Sequence, residues 1–68
     1  MIIKEIKKDY KDYYIFFNVH HSITEISVHN YQNKNFTFRN RYIGYSINEI
    51  FNQLKDMINN NLLQNEGV

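Results

Sequence analysis

Three histidines, His20, His21 and His29, are the residues of this chain with the widest chemical repertoire. A tetrahedral metal site needs three or four ligands converging on one point. Neighbouring residues of a strand point to opposite faces, so His20 and His21 cannot both turn toward one ion. In the hairpin argued below, His29 pairs with Tyr14, six residues from His20 or roughly 20 Å at the strand rise. No third ligand is placed to complete a site, so neither a metal nor another cofactor is expected. His20 and His21 read as turn residues, and His29 as a partly exposed strand residue.

Hydrolytic chemistry needs a nucleophile, a base and an orienting group within reach of one another. Ser22 stands beside His21 in sequence, but no carboxylate is placed to orient the ring. Asp9 and Asp12 read as turn residues, whose short side chains bond their own backbone. Gly44 and Gly67 are the only glycines, too few for a phosphate-cradling loop. The sequence therefore points away from an enzyme.

A chain of 68 residues is one domain, and one this short buries only about 60% of its unfolded surface. It has no Cys for disulfides or thiolate metal sites, and instead carries six Tyr and five Phe. Eight Lys and Arg against seven Asp and Glu leave a formal charge of +1. Duplex-DNA binders usually carry a strong basic excess, which this balance lacks. No apolar run approaches the ~20 residues that span a bilayer, and the start Met1-Ile2-Ile3-Lys4-Glu5 lacks a signal-peptide core. A cytoplasmic, membrane-free protein is expected.

Ser46 and Glu49 stand three apart just before an apolar run, the signature of a capping box. Behind them Ile47, Ile50, Phe51, Leu54 and Ile58 share one helical face, with Met57 and Leu62 at its margins. Asn59, Asn60 and Asn61 are weak helix formers, so the helix is expected to fray before Leu63. The domain is expected to span 1–63, with 64–68 a disordered tail. Gly44 falls where the chain must leave a strand to enter this helix, a place where a missing Cβ is useful.

Ahead of the helix the pattern alternates. Tyr13, Ile15, Phe17 and Val19 form one apolar set, and Thr24, Ile26 and Val28 another. A hairpin centred on His21-Ser22 sets Ile15 opposite Val28 and Phe17 opposite Ile26, on one buried face. A second hairpin centred on Gln32, with Asn33 or Lys34 in the left-handed region, sets Val28 opposite Phe36, Ile26 opposite Phe38 and Glu25 opposite Arg39. A first strand over Ile2–Lys8, joined through Asp9-Tyr10-Lys11-Asp12, pairs Ile6 with Ile15 and Ile2 with Val19, leaving Lys4 opposite Phe17. The expected fold is α+β: a three- to four-stranded antiparallel meander, ββββα in order, with one C-terminal helix on one sheet face.

That register leaves a second sheet face carrying Tyr14, Phe16, Asn18 and His20, then Glu25, Ser27 and His29, then Thr37, Arg39 and Arg41. Aromatics with nearby Arg are enriched in interface hot spots. Tyr14, Phe16, His29, Arg39 and Arg41 are therefore the candidate partner-binding residues, with a host protein or a second copy as partner. Single-stranded nucleic acid uses the same residue types, bases stacking on rings and Arg meeting phosphate. The near-neutral charge makes it the lesser alternative. A third account is that cross-strand aromatic pairs simply stabilise a small sheet.

The segment Phe38-x-x-Arg41-Tyr42-Ile43-Gly44-Tyr45-Ser46-x-x-Glu49-x-x-x-x-Leu54 resembles a motif of small uncharacterised proteins from phages and mobile elements of low-GC bacteria. In that group an aromatic-rich strand runs into a Tyr-x-Gly-Tyr-Ser turn, followed by Glu-Ala and a helix; Ile50 stands here where Ala is usual. The resemblance covers roughly the last half of the chain and implies structural roles: Gly44 for the turn, Ser46 and Glu49 for the cap, Tyr42 and Tyr45 for packing. It implies no activity. By analogy of genome context, it implies an accessory protein that binds and modulates one host protein, in host takeover or anti-defence.

Overall fold

A computed structural model describes residues 3–65 of the chain. Four strands, β1 (Lys4–Tyr10), β2 (Tyr13–Val19), β3 (Ile23–Asn30) and β4 (Thr37–Ile43), precede one helix, α1 (Ile47–Asn59). The strands form one antiparallel sheet in the order β1-β2-β3-β4, so the fold is α+β. The expected tail lies outside the described residues from 66 onward; within it, the Asn65 side chain accepts from the Thr37 amide at 3.1 Å.

The central hairpin has the register that the alternation predicts, with Ile15 opposite Val28 and Phe17 opposite Ile26. Both outer pairings differ from expectation by two residues. Val28 faces Phe38, Ile26 faces Asn40, and Glu25 faces Arg41 rather than Arg39. The cause is the loop. Asn30 Oδ1 accepts from the amides of both Gln32 and Asn33, and the Phe36 amide donates to the Asn33 carbonyl, which closes a longer connection. Asn33 and Lys34 are not left-handed; among the described non-glycine residues only Lys11 (φ 53°) and Asn61 (φ 54°) are.

At the other side Ile6 faces Phe17 and Lys4 faces Val19, replacing the expected Ile6–Ile15 and Ile2–Val19 pairs. Here the strand runs on to Tyr10, which faces Tyr13, so the connection shrinks to Lys11-Asp12. A two-residue turn needs backbone of unusual hand, and Lys11 supplies it. Because both slips are by two residues, every side chain keeps its expected face.

The covered face holds Ile15, Phe17, Ile26 and Val28, packed under Ile50 and Leu54 of α1, with Ile58 buried beyond them. Burying each such side chain contributes roughly 1.5–3 kcal/mol. Phe36 is buried from the loop instead of from a strand, edge-on to Tyr13 at 5.4 Å. Phe51 and Met57 pack at the margin as expected, but Leu62 is 60% exposed and Leu63 takes the packed place.

Ser46 is an N-cap in extended conformation (φ −77°, ψ 162°). Its hydroxyl accepts from the Glu49 amide at 3.2 Å, and the Glu49 carboxylate accepts from the Ser46 amide at 3.0 Å. Gly44 has φ 82°, and a Cβ there would meet nothing within 4 Å, so the conformation selects glycine and crowding does not. The helix ends in a defined cap where fraying is expected. The Leu62 amide donates to the Met57 carbonyl and the Asn61 amide to the Ile58 carbonyl, around left-handed Asn61. Those two bonds satisfy carbonyls that a helix C-terminus otherwise leaves open.

Backbone direction follows from two bonds flanking β2. His20 donates to the Ile23 carbonyl at 2.7 Å, and Asp12 accepts from Tyr31 at 2.8 Å. Even-numbered residues here therefore bond toward β3, and alternation turns odd-numbered ones toward β1. On the outer edges this leaves Glu5, Lys7 and Asp9 of β1, and Thr37, Arg39 and Arg41 of β4, with amides pointing away from the sheet.

Candidate functional site

The sheet face opposite α1 carries the candidate residues on three strands: Tyr14 and Phe16 on β2, His29 on β3, Arg39 and Arg41 on β4. Strand alternation gives them one direction, and the cross-strand pair Tyr14–His29 brings the rings together. The Tyr14 and His29 rings stack at 5.1 Å with planes 22° apart. Phe16 meets both edge-on, at 5.7 Å from Tyr14 and 5.8 Å from His29. Aromatic pairs of this kind add about 0.5–1.5 kcal/mol beyond their buried area.

Tyr31 completes the cluster, and no strand period pointed to it. It leaves the end of β3 and leans over Tyr14 at 4.6 Å, held by its hydroxyl donating to Asp9 Oδ1 at 2.6 Å. The hydrogen bond to Asp9 is the main cause that raises the Tyr31 phenol above its ordinary value. Lys7 Nζ sits 5.1 Å from the Tyr14 centroid and 5.7 Å from that of Tyr31. Its contact with Tyr31 raises the ammonium above its usual value.

Ser27, expected on this face, makes a contact with His29 that the sequence did not point to. Its Oγ lies 2.6 Å from His29 Nε2, two residues along the same strand and face. Burial, reinforced by the Arg39 charge, lowers the His29 pKa from 6.5, which favours the neutral ring over the charged one. Among the described residues no carboxylate bonds the far ring nitrogen, so the pair fixes ring orientation without the third group of a triad.

The structure separates Arg41 from the rings. Arg41 Nη2 lies 3.4 Å from Glu25 Oε2, while His20 Nε2 lies 2.8 Å from Glu25 Oε1. Glu25 thus ties the end of β2 to β4. A shallow depression of about 620 Å³ runs between these groups, lined by Asn18, Glu25, Ser27, Arg39 and Arg41. Asn18 Oδ1 is shielded from solvent there and has no hydrogen-bond partner among the described residues. Among the described residues no three His, Asp or Glu side chains converge as a metal site requires, and no helix is long and apolar enough to cross a membrane.

The face therefore offers a ring cluster with a cation on its rim, next to a polar depression lined by two guanidinium groups, the Asn18 amide oxygen and the Glu25 carboxylate. That inventory suits recognition by stacking and hydrogen bonding. Comparison with protein-family models, with curated proteins and with solved structures finds no match to this chain.

Proposed function

We propose that this chain is a small non-enzymatic protein-binding module of the cytoplasm that docks on its partner through the open sheet face. The observation that carries the reading is the cluster of Tyr14, Phe16, His29 and Tyr31 on a face that α1 leaves open, with Phe16 36% and Tyr31 49% exposed. Rigid rings beside arginine are the side chains that most often dominate binding energy at protein interfaces. The motif Tyr42-Ile43-Gly44-Tyr45-Ser46 supports an accessory protein of a phage or mobile element, and hence a host protein as partner.

The test is affinity capture from host lysate after nuclease treatment, run with the native chain and with a Phe16→Ala/Arg39→Ala double variant. One host protein retained by the native chain and lost by the variant, with the circular dichroism spectrum nearly unchanged, supports the reading. Equal retention by both removes the face from it. Recovery of the chain alone makes a second copy the partner.

A second reading, single-stranded nucleic acid on the same rings, is favoured by one contact, the Lys7 ammonium above Tyr14 and Tyr31. It requires affinity that falls steeply with salt, because released counterions drive such binding. An oligothymidylate that causes no shift at low salt eliminates it.

A further inference from the structure

The two edges of the sheet are finished differently. On β4 two outward amides are occupied by side chains: Thr37 donates to Asn65 Oδ1 at 3.1 Å and Arg41 to Asn40 Oδ1 at 2.8 Å. On β1 the outward amides are those of Glu5, Lys7 and Asp9, and among the described residues no side chain accepts from them. An edge strand with open N–H and C=O groups is a template for another strand.

Beside that edge, on the helix side, three ammonium groups converge on two rings. Lys8 Nζ is 5.3 Å from the Phe51 centroid, and Lys55 Nζ is 4.8 Å from Phe51 and 5.9 Å from Tyr10. Lys11 Nζ is 5.5 Å from Tyr10 and donates to Asn59 Oδ1. The ion pairs among the described residues are Lys7–Asp9, His20–Glu25 and Arg41–Glu25, so these three lysines have no carboxylate partner there. Like charges gathered on one flank favour an anionic neighbour.

We propose that β1 takes a fifth strand from an extended acidic peptide segment of a partner protein. The added backbone bonds Glu5, Lys7 and Asp9, and its carboxylates meet Lys8, Lys11 and Lys55. Backbone pairing gives affinity and the flanking side chains give selectivity, as in other strand-addition complexes. A second copy fits worse: β1 paired with itself about Ile6 sets Glu5 opposite Lys7 on the open face, but on the helix side it sets Lys4 opposite Lys8 and brings no carboxylate to the three lysines. A nucleic acid satisfies the lysines and leaves the edge amides unbonded. The inference goes beyond the open-face reading, and the Phe16→Ala/Arg39→Ala variant leaves this edge intact.

The test is amide NMR of the full chain titrated with a capped heptapeptide of alternating Glu and Val. The expected result is saturable shifts and slowed exchange at the Glu5, Lys7 and Asp9 amides, with affinity about tenfold weaker in Lys8→Gln/Lys55→Gln. A Lys–Val heptapeptide, and a Glu–Val heptapeptide methylated at every amide nitrogen, are expected not to bind. Equal binding by either control, equal binding by oligothymidylate, or no binding by the Glu–Val peptide overturns the proposal. So do shifts confined to Tyr14, Phe16 and His29, which leave the open-face reading standing alone.

Discussion

The Ser27 hydroxyl lies 2.6 Å from Nε2 of His29, on a ring stacked against Tyr14 and within the field of Arg39. A serine and a histidine two apart on one strand face are close by construction, because side chains at i and i+2 of a strand point the same way. The pair ties a titratable ring into the centre of the candidate surface, so the surface and the fold respond to the same proton.

The His29 pKa is lowered, chiefly by burial and then by Arg39. The unfolded chain therefore binds this proton more readily than the folded one, and stability rises with pH where the ring titrates. The contribution is present above the ordinary value of 6.5 and is lost as pH falls through the lower folded value. Denaturation midpoints taken between about pH 7.5 and 5 should fall for the native chain more than for His29→Gln. A variant whose midpoint falls as steeply as the native one would place the acid sensitivity elsewhere.

The helix depends on its first turn. Ser46 accepts from the Glu49 amide, and the carboxylate of Glu49 reaches back, held below its ordinary pKa by the Ser46 backbone bond first and the hydroxyl second. Ser46→Ala should cost about 1 kcal/mol of unfolding free energy, measured by urea denaturation. Glu49 adds an acid-sensitive component of the opposite chemical type to His29. A lowered carboxyl pKa stabilises the fold above 4.5 and ceases to do so as pH falls through its folded value. Glu49→Gln should flatten that acid limb.

The central hairpin and the helix are legible in the sequence because their signals are local. Ile15, Phe17, Ile26 and Val28 alternate around a short turn, and Ile50, Leu54 and Ile58 repeat at helical spacing. The outer registers depend on turn chemistry that residue type hides. Lys11 is an uncommon left-handed residue, and Asn30 caps its loop through a side chain, so neither turn length follows from composition. Tyr14, Phe16 and His29 come together as expected because their own hairpin keeps its register, and Arg39 and Arg41 stay on the same face because a slip of two residues preserves faces. Tyr31, outside every strand, and the Lys8–Lys55 convergence, which needs the placement of α1 over β1, carry no period to read.

Asn61 gives a test of the C-terminal cap. It holds φ 54° and anchors two amide-to-carbonyl bonds, from its own amide to Ile58 and from Leu62 to Met57. Asparagine tolerates this conformation better than other residues with a Cβ, and glycine adopts it without penalty. Asn61→Gly should raise stability by about 0.5 kcal/mol and Asn61→Ala should lower it by about 1 kcal/mol. Thermal melts of the two variants beside the native chain check the order. Equal destabilisation by both would mean that the Asn61 side chain, and not its backbone angle, holds the cap.

Edge protection by asparagine gives the last prediction. Asn40 lies on the exposed edge strand β4 and bonds the amide of the next residue, Arg41, while Asn65 reaches the Thr37 amide from beyond the helix. Each side-chain oxygen occupies a donor that another chain would otherwise pair with. Removing both, as Asn40→Ala with Asn65→Ala, opens two donors along one edge without touching the buried core. Self-pairing of β4 is still opposed by charge, since antiparallel pairing about position 40 sets Arg39 opposite Arg41. The double variant should therefore associate with rising concentration in sedimentation velocity, more strongly at high salt where the arginines are screened. A variant that stays monomeric at high salt would show that the arginines' length and hydration, not the two asparagine bonds, protect this edge.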